Sequence, residues 1–430
     1  MALVAASAFA NASAASAQQP SAQAVAELEA KIELLQAQVE ALQEALEGVK
    51  SAQAKATPSW KGGPLFEDKE SGWSFKPRGR LMYDVGWVSE PDGIANPGLG
   101  FANEVRRARI GVEGTVPGGF GYKFELDFAD GVEIADAFLN YKKGPWELSV
   151  GQHNNFQSLD ELTSSLHSSF IERAAFTDAF GFERRVGVSA QYTKGAFLAQ
   201  AGLFSDSISD LNSVGDDNNS YSGDARVVYA PMTGSNQLHF GASVHHRELN
   251  DASSIVRYRQ RPAIHVTDIR FIDTGNVDGV DSETGLGLEA AGIFGPFHLA
   301  GEAFWQRVRR IGEDPTFFGA YVEGGYFFTG ETRGYKGGKF DRAKVVNGFD
   351  KGGWGAFGLN LRWDYLDLTD EGFAGGTQNA LQASLNWKPT DYLLFGLNAG
   401  HILYDDAAIV ADGDTDYSVN MAGLRAQVDF

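Results

Sequence analysis

The chain has 430 residues, with 52 Gly, 13 Pro and no Cys, and carries 36 Lys and Arg against 56 Asp and Glu, a net charge of −20. Without cysteine there is neither a disulfide framework nor a thiolate metal site, and the acidic balance argues against nucleic acid as a partner. No apolar run approaches the ~18 residues a membrane-spanning helix needs, and the length suits either several soluble domains or one large barrel.

Residues 1–17 are rich in Ala and Ser, and Ala12-Ser-Ala14 and Ala15-Ser-Ala17 both resemble signal-peptidase sites. They read as a signal peptide lacking its positively charged start, cut after Ala17. In residues 18–58 the pattern changes. Val25, Leu28, Ile32, Leu35, Val39, Leu42, Leu46 and Val49 are spaced by alternating steps of three and four, with glutamates between them. This heptad predicts a coiled-coil helix that needs copies of itself to bury its seam. Thr57-Pro58 and Gly62-Gly63-Pro64 mark a linker.

Residues 59–430 read as the barrel, and from residue 75 onward segments of roughly ten residues alternate with period two. In the first, Leu81, Tyr83, Val85 and Trp87 alternate with Arg80, Met82, Asp84 and Gly86; in a late one, Leu381, Ala383, Leu385 and Trp387 alternate with Gln382, Ser384 and Asn386. A soluble sheet that exposed such an apolar face on every strand would aggregate. Lipid on one side and a polar lumen on the other explain the pattern as a transmembrane β-barrel. Short connections such as Gly144-Pro145 and Gly295-Pro296 alternate with long polar ones such as 152–184 and 246–283, and about sixteen antiparallel strands result. Residues 329–353 are long where a short turn is due. The last strand ends on Phe430, an aromatic terminus similar to the signal read by the bacterial barrel-insertion machinery.

Several motifs occur in a telling order: Val105-Arg-Arg-Ala-Arg-Ile-Gly111, Tyr122-Lys-Phe-Glu-Leu-Asp-Phe128, Ile134-Ala-Asp-Ala-Phe138, Leu162-Thr-Ser-Ser165 with Phe170-Ile-Glu-Arg173, and Phe328-Thr-Gly-Glu331 with Tyr335-Lys336. Over residues 75–430 the chain resembles the phosphate-selective porin O/P family. The resemblance implies a sixteen-stranded outer-membrane barrel, a homotrimer, and a third loop, 153–184, folded into the lumen. It places Arg106 and Arg107 on the constriction arginines, Asp136 on the nearby acid, and 159–173 on the constriction loop.

Strand parity adds Arg80, Arg107 and Arg109 to the lumen face. Arg106 has the wrong parity unless the strand bulges. Arg107 and Arg109, about 6.8 Å apart along a strand, are expected to meet one small oxyanion, held extended by Glu113 and Asp136. Guanidinium groups stay charged and bind oxyanions bidentately. Arg226 and Arg425 are expected to be paired with acids instead. Within 154–183 the cations are Arg173 and, when protonated, His167, so the loop lacks the lysines of the family's specific members. With an ordinary pKa near 6.5, His167 is expected to gain charge in the pore as pH falls from 8 to 5. The barrel's acidity, 33 basic against 50 acidic residues beyond position 58, opposes strict phosphate selectivity.

The expected function is a passive outer-membrane channel for small hydrophilic solutes, anions such as phosphate first. The alternative is a general or differently selective porin whose periplasmic coiled coil tethers the membrane to peptidoglycan. Outer-membrane lipid and lipopolysaccharide are the other expected partners. Ser243, His245 and His246 are close in sequence but show no acidic partner, and no His/Asp/Glu set has metal-ligand spacing. Neither an enzyme nor a cofactor is expected.

Overall fold

The computed structural model describes residues 21–430 except 57, 61, 95–97, 212–219 and 251–253; the expected signal peptide lies outside the described residues. Two compact units divide at Pro58. The first contains helix α1, Ala22–Ala56, 35 residues and so about 52 Å long. Its seam is bare in a single chain, with Leu28 60% and Leu42 69% exposed.

The second unit is a closed barrel of sixteen antiparallel strands. They are β1 Trp73–Val88, β2 Gly100–Val116, β3 Phe120–Asp127, β4 Glu133–Lys143, β5 Trp146–Asn154, β6 Arg184–Lys194, β7 Phe197–Phe204 and β8 Tyr221–Tyr229. The second half comprises β9 Asn236–Glu248, β10 Val280–Phe294, β11 Phe297–Arg310, β12 Thr316–Phe327, β13 Ala356–Asp370, β14 Phe373–Thr390, β15 Leu393–Asp405 and β16 Tyr417–Asp429. Each strand pairs with the next, and β16 closes on β1 through Val428↔Leu81 and Leu424↔Val85. Closure leaves no strand edge unpaired, the condition for a sheet in hydrocarbon. The alternation read from sequence gives the outer surface: Leu81, Ile110, Leu381 and Leu424 point outward and are exposed.

The inner face is not hollow. Between β5 and β6, residues 155–183 cross the interior. Helix α2, Leu159–Leu162, is capped by Ser158, whose hydroxyl accepts the Glu161 N–H at 3.2 Å. The Glu302 carboxylate of β11 accepts the N–H groups of Leu159 and Asp160 at 2.8 and 2.7 Å, where the helix N-terminus leaves amides without helical partners. Helix α3, Ala175–Ala179, rests on the same side: the Ala175 N–H reaches Asp364 of β13 at 3.0 Å, and Phe176 stacks on Phe304 at 5.8 Å. Residues 254–279 also pack inward. Gly86 and Gly423, opposite each other on β1 and β16, make room, since a Cβ at either would come within 3 Å of Ile264.

Residues 328–355 enter from the opposite end. Their hairpin, Gly334–Lys336 with Lys339–Asp341, turns at Gly337 and Gly338, both at positive φ as a two-residue turn requires. Arg226 of β8 donates to the Gly338 carbonyl at 2.8 Å, Tyr335 shares a hydrogen bond with His239 at 2.7 Å, and Arg342 pairs with Asp429. The break in the turn rhythm is thereby explained: this connection fills the lumen instead of merely joining two strands.

Candidate anion-conducting constriction

Among the chambers that the inward segments leave, two meet at the β2 arginines. One opens toward the long loops, with about 240 Å³ lined by Arg106, Arg107, Glu172, Arg173 and Arg184 among others. The other, about 690 Å³, opens toward the short turns. They share Arg107, Glu161, Arg173 and Arg184, which therefore mark the neck between them. Each comes from a different part of the fold: β2, α2, the third loop and β6.

Strand β2 does bulge at the arginine pair. The register with β1 passes from Met82↔Arg107 to Tyr83↔Val105, leaving Arg106 as the extra residue. A bulge lets consecutive residues face the same side, so both arginines reach the interior. Their situations differ. Arg106 grips Glu172 with two hydrogen bonds, at 2.8 and 3.1 Å. Burial pushes the Glu172 carboxyl up, but Arg106 outweighs it and holds the group below the usual carboxylate range. Among the described residues Arg107 has no carboxylate within 4 Å; its recorded contact is the Met82 sulfur at 4.0 Å.

The other candidate residues are each engaged by partners. Arg109 faces the lumen but is held by Asp127 at 2.6 Å and Glu125 at 3.2 Å. It is not poised beside Arg107 for a shared oxyanion, because β3 lays two acids directly against it. Glu113 pairs with Arg78, and Asp136 with Lys123 at 2.5 Å and Arg184 at 2.9 Å, so neither extends the β2 arginines. Arg80 spans Glu125 at 3.4 Å and the Ser165 hydroxyl of the third loop at 3.2 Å. Arg173 is a staple as well as a neck residue: it donates to the carbonyls of Asp160, Glu161 and Thr163 at 2.9–3.0 Å. Arg226 and Arg425 are buried against Glu289 and Asp84, as their expected pairing requires.

His167 does not titrate in the expected window. It sits at the tip of the third loop, 3.4 Å from Asp341. Burial, with Arg342 nearby, lowers its pKa to about 4. It stays neutral from pH 8 to 5 and adds no charge there. At the neck, burial pushes the Glu161 carboxyl up against the pull of Arg173.

The lysines absent from the third loop are supplied elsewhere. Lys336 and Lys339 reach the turn-side chamber from the inward hairpin, and Lys123 from β3. That chamber is lined by eleven Lys and Arg against five Asp and Glu. The acidic excess of the chain does not line it. Glu302 and Asp364 are consumed by loop amides, Glu323 by Arg333 and Arg362 at 3.3 and 2.7 Å, Glu289 by Arg226, and Asp84 by Arg425. The lysines carried the only sequence signal for this, sitting in the segment whose length was anomalous. His245 does have an acid, Asp224 at 2.8 Å from the neighbouring strand, but the buried Ser243 hydroxyl makes no hydrogen bond among the described residues, and the set is not joined.

A closed sixteen-stranded barrel narrowed by inward segments to a basic neck is the architecture of an outer-membrane porin. The chain belongs to the family described as phosphate-selective porin O and P, whose model matches residues 75–430. An uncharacterised protein of Caulobacter vibrioides is 49% identical over 390 residues, 89% of this chain and 78% of that one. An anion-selective porin from Comamonas acidovorans shares the fold with a TM-score of 0.55 at 12% identity, over 83% of this chain and all of that one. The outer-membrane expressed OmpT of Vibrio cholerae aligns with a TM-score of 0.54 at 13% identity, over 85% and 100%.

Proposed function

We propose that the protein is a passive channel of the outer membrane that prefers small anions, phosphate among them. The observation that carries the proposal is the turn-side chamber, whose lining is basic in an acidic chain, entered past the unpaired Arg107. Cations held in a narrow, low-dielectric passage raise the local concentration of anions. The family's name and the anion-selective Comamonas porin agree with this. Single-channel reversal potentials in a KCl gradient test it: a positive anion preference, with chloride current blocked by phosphate, is expected, and cation preference would leave a general porin.

Lys339 gives this channel a pH dependence. Enclosure by the barrel, then the charges of Arg226, Lys123 and Arg184, lower its pKa to about 8. The ammonium is charged below that value and neutral above it. Anion preference is therefore expected to fall as pH rises from 7 to 9, and Lys339→Met should flatten the fall. Identical profiles would place the titrating charge on another residue.

One structure of Vibrio cholerae OmpT is of a trimer, and the bare seam of α1 suits a self-assembling rod. Leu35→Ser with Leu42→Ser should loosen the rod, while barrel contacts keep the trimer in mild detergent. Monomers in that variant would show that the barrel is not the main interface. Deleting residues 20–56 should leave conductance intact; loss of envelope attachment in the same strain would favour the peptidoglycan tether.

A further inference from the structure

A smaller cavity lies beside the turn-side chamber, between the tip of the third loop, the inward turn segment and the barrel wall. It measures about 40 Å³ and meets the turn-side chamber at His167 and Asp341. Its lining contains an unusual set of unpartnered polar atoms. His298 of β11 is 2% exposed; its ring lies beside Asn360, and its nitrogens make no close, well-aligned hydrogen bond among the described residues. The Ser168 hydroxyl and His167 Nδ1, both from the loop tip, are likewise buried without partners. Buried polar groups are almost always satisfied, so the Ser168 hydroxyl, His167 Nδ1 and one nitrogen of the His298 ring, which lies beside Asn360, call for a partner inside the void.

The charge around the void gives the partner its sign. Arg333 and Lys388 line it and are nearly buried, against one acid, Asp341, whose side chain is 45% exposed. Glu323 reaches Arg333 at 3.3 Å but is taken more closely by Arg362 at 2.7 Å. The Lys388 ammonium donates to the Ala343 carbonyl at 2.8 Å and has no carboxylate within 4 Å among the described residues. A cation would be repelled from this site, whereas an anion is stabilised and each neutral imidazole can turn an N–H toward it. The volume corresponds to about three water positions, enough for a monatomic ion with a water and too little for a tetrahedral oxyanion and its hydration.

The geometry points to a halide site, of chloride size and charge, that bolts the third loop to the inward turn segment and to the wall. Ser168 and His167 come from the loop, Arg333 from the turn segment, and His298 and Lys388 from β11 and β14. An ion bound among them joins the two segments that form the constriction. Arg333 already begins this link, donating to the His167 carbonyl at 3.2 Å and to the Ser169 hydroxyl. The site is independent of whether the pore prefers anions, because the ion held here is not the ion conducted.

Crystals of the intact protein with bromide in place of chloride test the site through anomalous scattering. One peak in this cavity is expected at bromide concentrations in the physiological halide range, lost in Lys388→Met and weakened in the milder Ser168→Ala. Ordered waters without anomalous signal, or a peak only in molar bromide and so an adventitious ion, would overturn it. The bolt has its own readout. Replacing chloride by gluconate, too large to enter, should raise the frequency of brief closures several-fold in the wild type; Lys388→Met, which loses the ion, should close equally often in both salts, and Ser168→Ala should respond less than the wild type. Closures in the wild type that ignore the anion would overturn the bracing role.

Discussion

Replacing Arg107 by alanine is expected to move the reversal potential toward cations and to weaken phosphate block of chloride current tenfold or more. Arg107 stands where the two chambers meet and has no acid of its own, so its guanidinium is available to a passing anion. A hydrogen bond to a charged group contributes about 1.5–3 kcal/mol, and about 1.4 kcal/mol is a factor of ten in affinity. The yield of folded protein should not change, because no lipid-facing contact is removed. Arg107→Lys should keep the reversal potential and still lose part of the block, since an ammonium retains the charge without the fork. Arg109→Ala should weaken block less, because Asp127 and Glu125 already occupy that guanidinium. If Arg107→Ala conducts with unchanged selectivity and unchanged block, the neck is not where anions are chosen.

Arg226→Ala should act on stability first. Arg226 and Glu289 are 1% and 0% exposed and share two hydrogen bonds, at 2.7 and 2.6 Å. Removing one partner of a buried ion pair costs about 3–5 kcal/mol, because the other is left buried without compensation. Here Glu289 would keep only His239, at 3.0 Å. The expected result is a lower midpoint of urea unfolding from lipid vesicles, with more frequent closures, since the Gly338 carbonyl of the hairpin also loses its donor. Arg226→Met with Glu289→Leu should restore the midpoint, as apolar replacement of a whole buried pair is often neutral or stabilising. It should not restore the quiet current, because the hairpin bond is still missing. A single variant as stable as the wild type would show that the pair contributes nothing net.

The barrel was legible in the sequence because lipid imposes a rule at every residue of a strand. Apolar and polar side chains must alternate, as in Leu81 to Trp87 and Leu381 to Trp387, and a slip of one position would put charges in hydrocarbon. The same rule assigned Arg80, Arg107 and Arg109 to the interior and exposed 329–353 as a connection too long for its place. Helix α1 was legible for a similar reason, being a local repeat.

Parity assigns a side chain to the lumen and says nothing of what it meets there. Arg107 and Arg109 have the same parity, yet strand pairing sets Glu125 and Asp127 against Arg109 and leaves Arg107 open. The bulge that turns Arg106 inward has no residue signature in β2; it is a property of the β1–β2 register. The environment of His167 depends on Arg342 and Asp341, more than 170 positions away, so its ordinary pKa was the wrong starting value. The sign of the chamber was decided the same way. The sequence by itself determined that charges of both kinds face inward, with acids in excess, since composition and period are local. Only the tertiary structure decided which acids are spent on loop amides and buried arginines and which cations remain exposed to a solute, because those pairings join residues from strands and loops on different sides of the barrel.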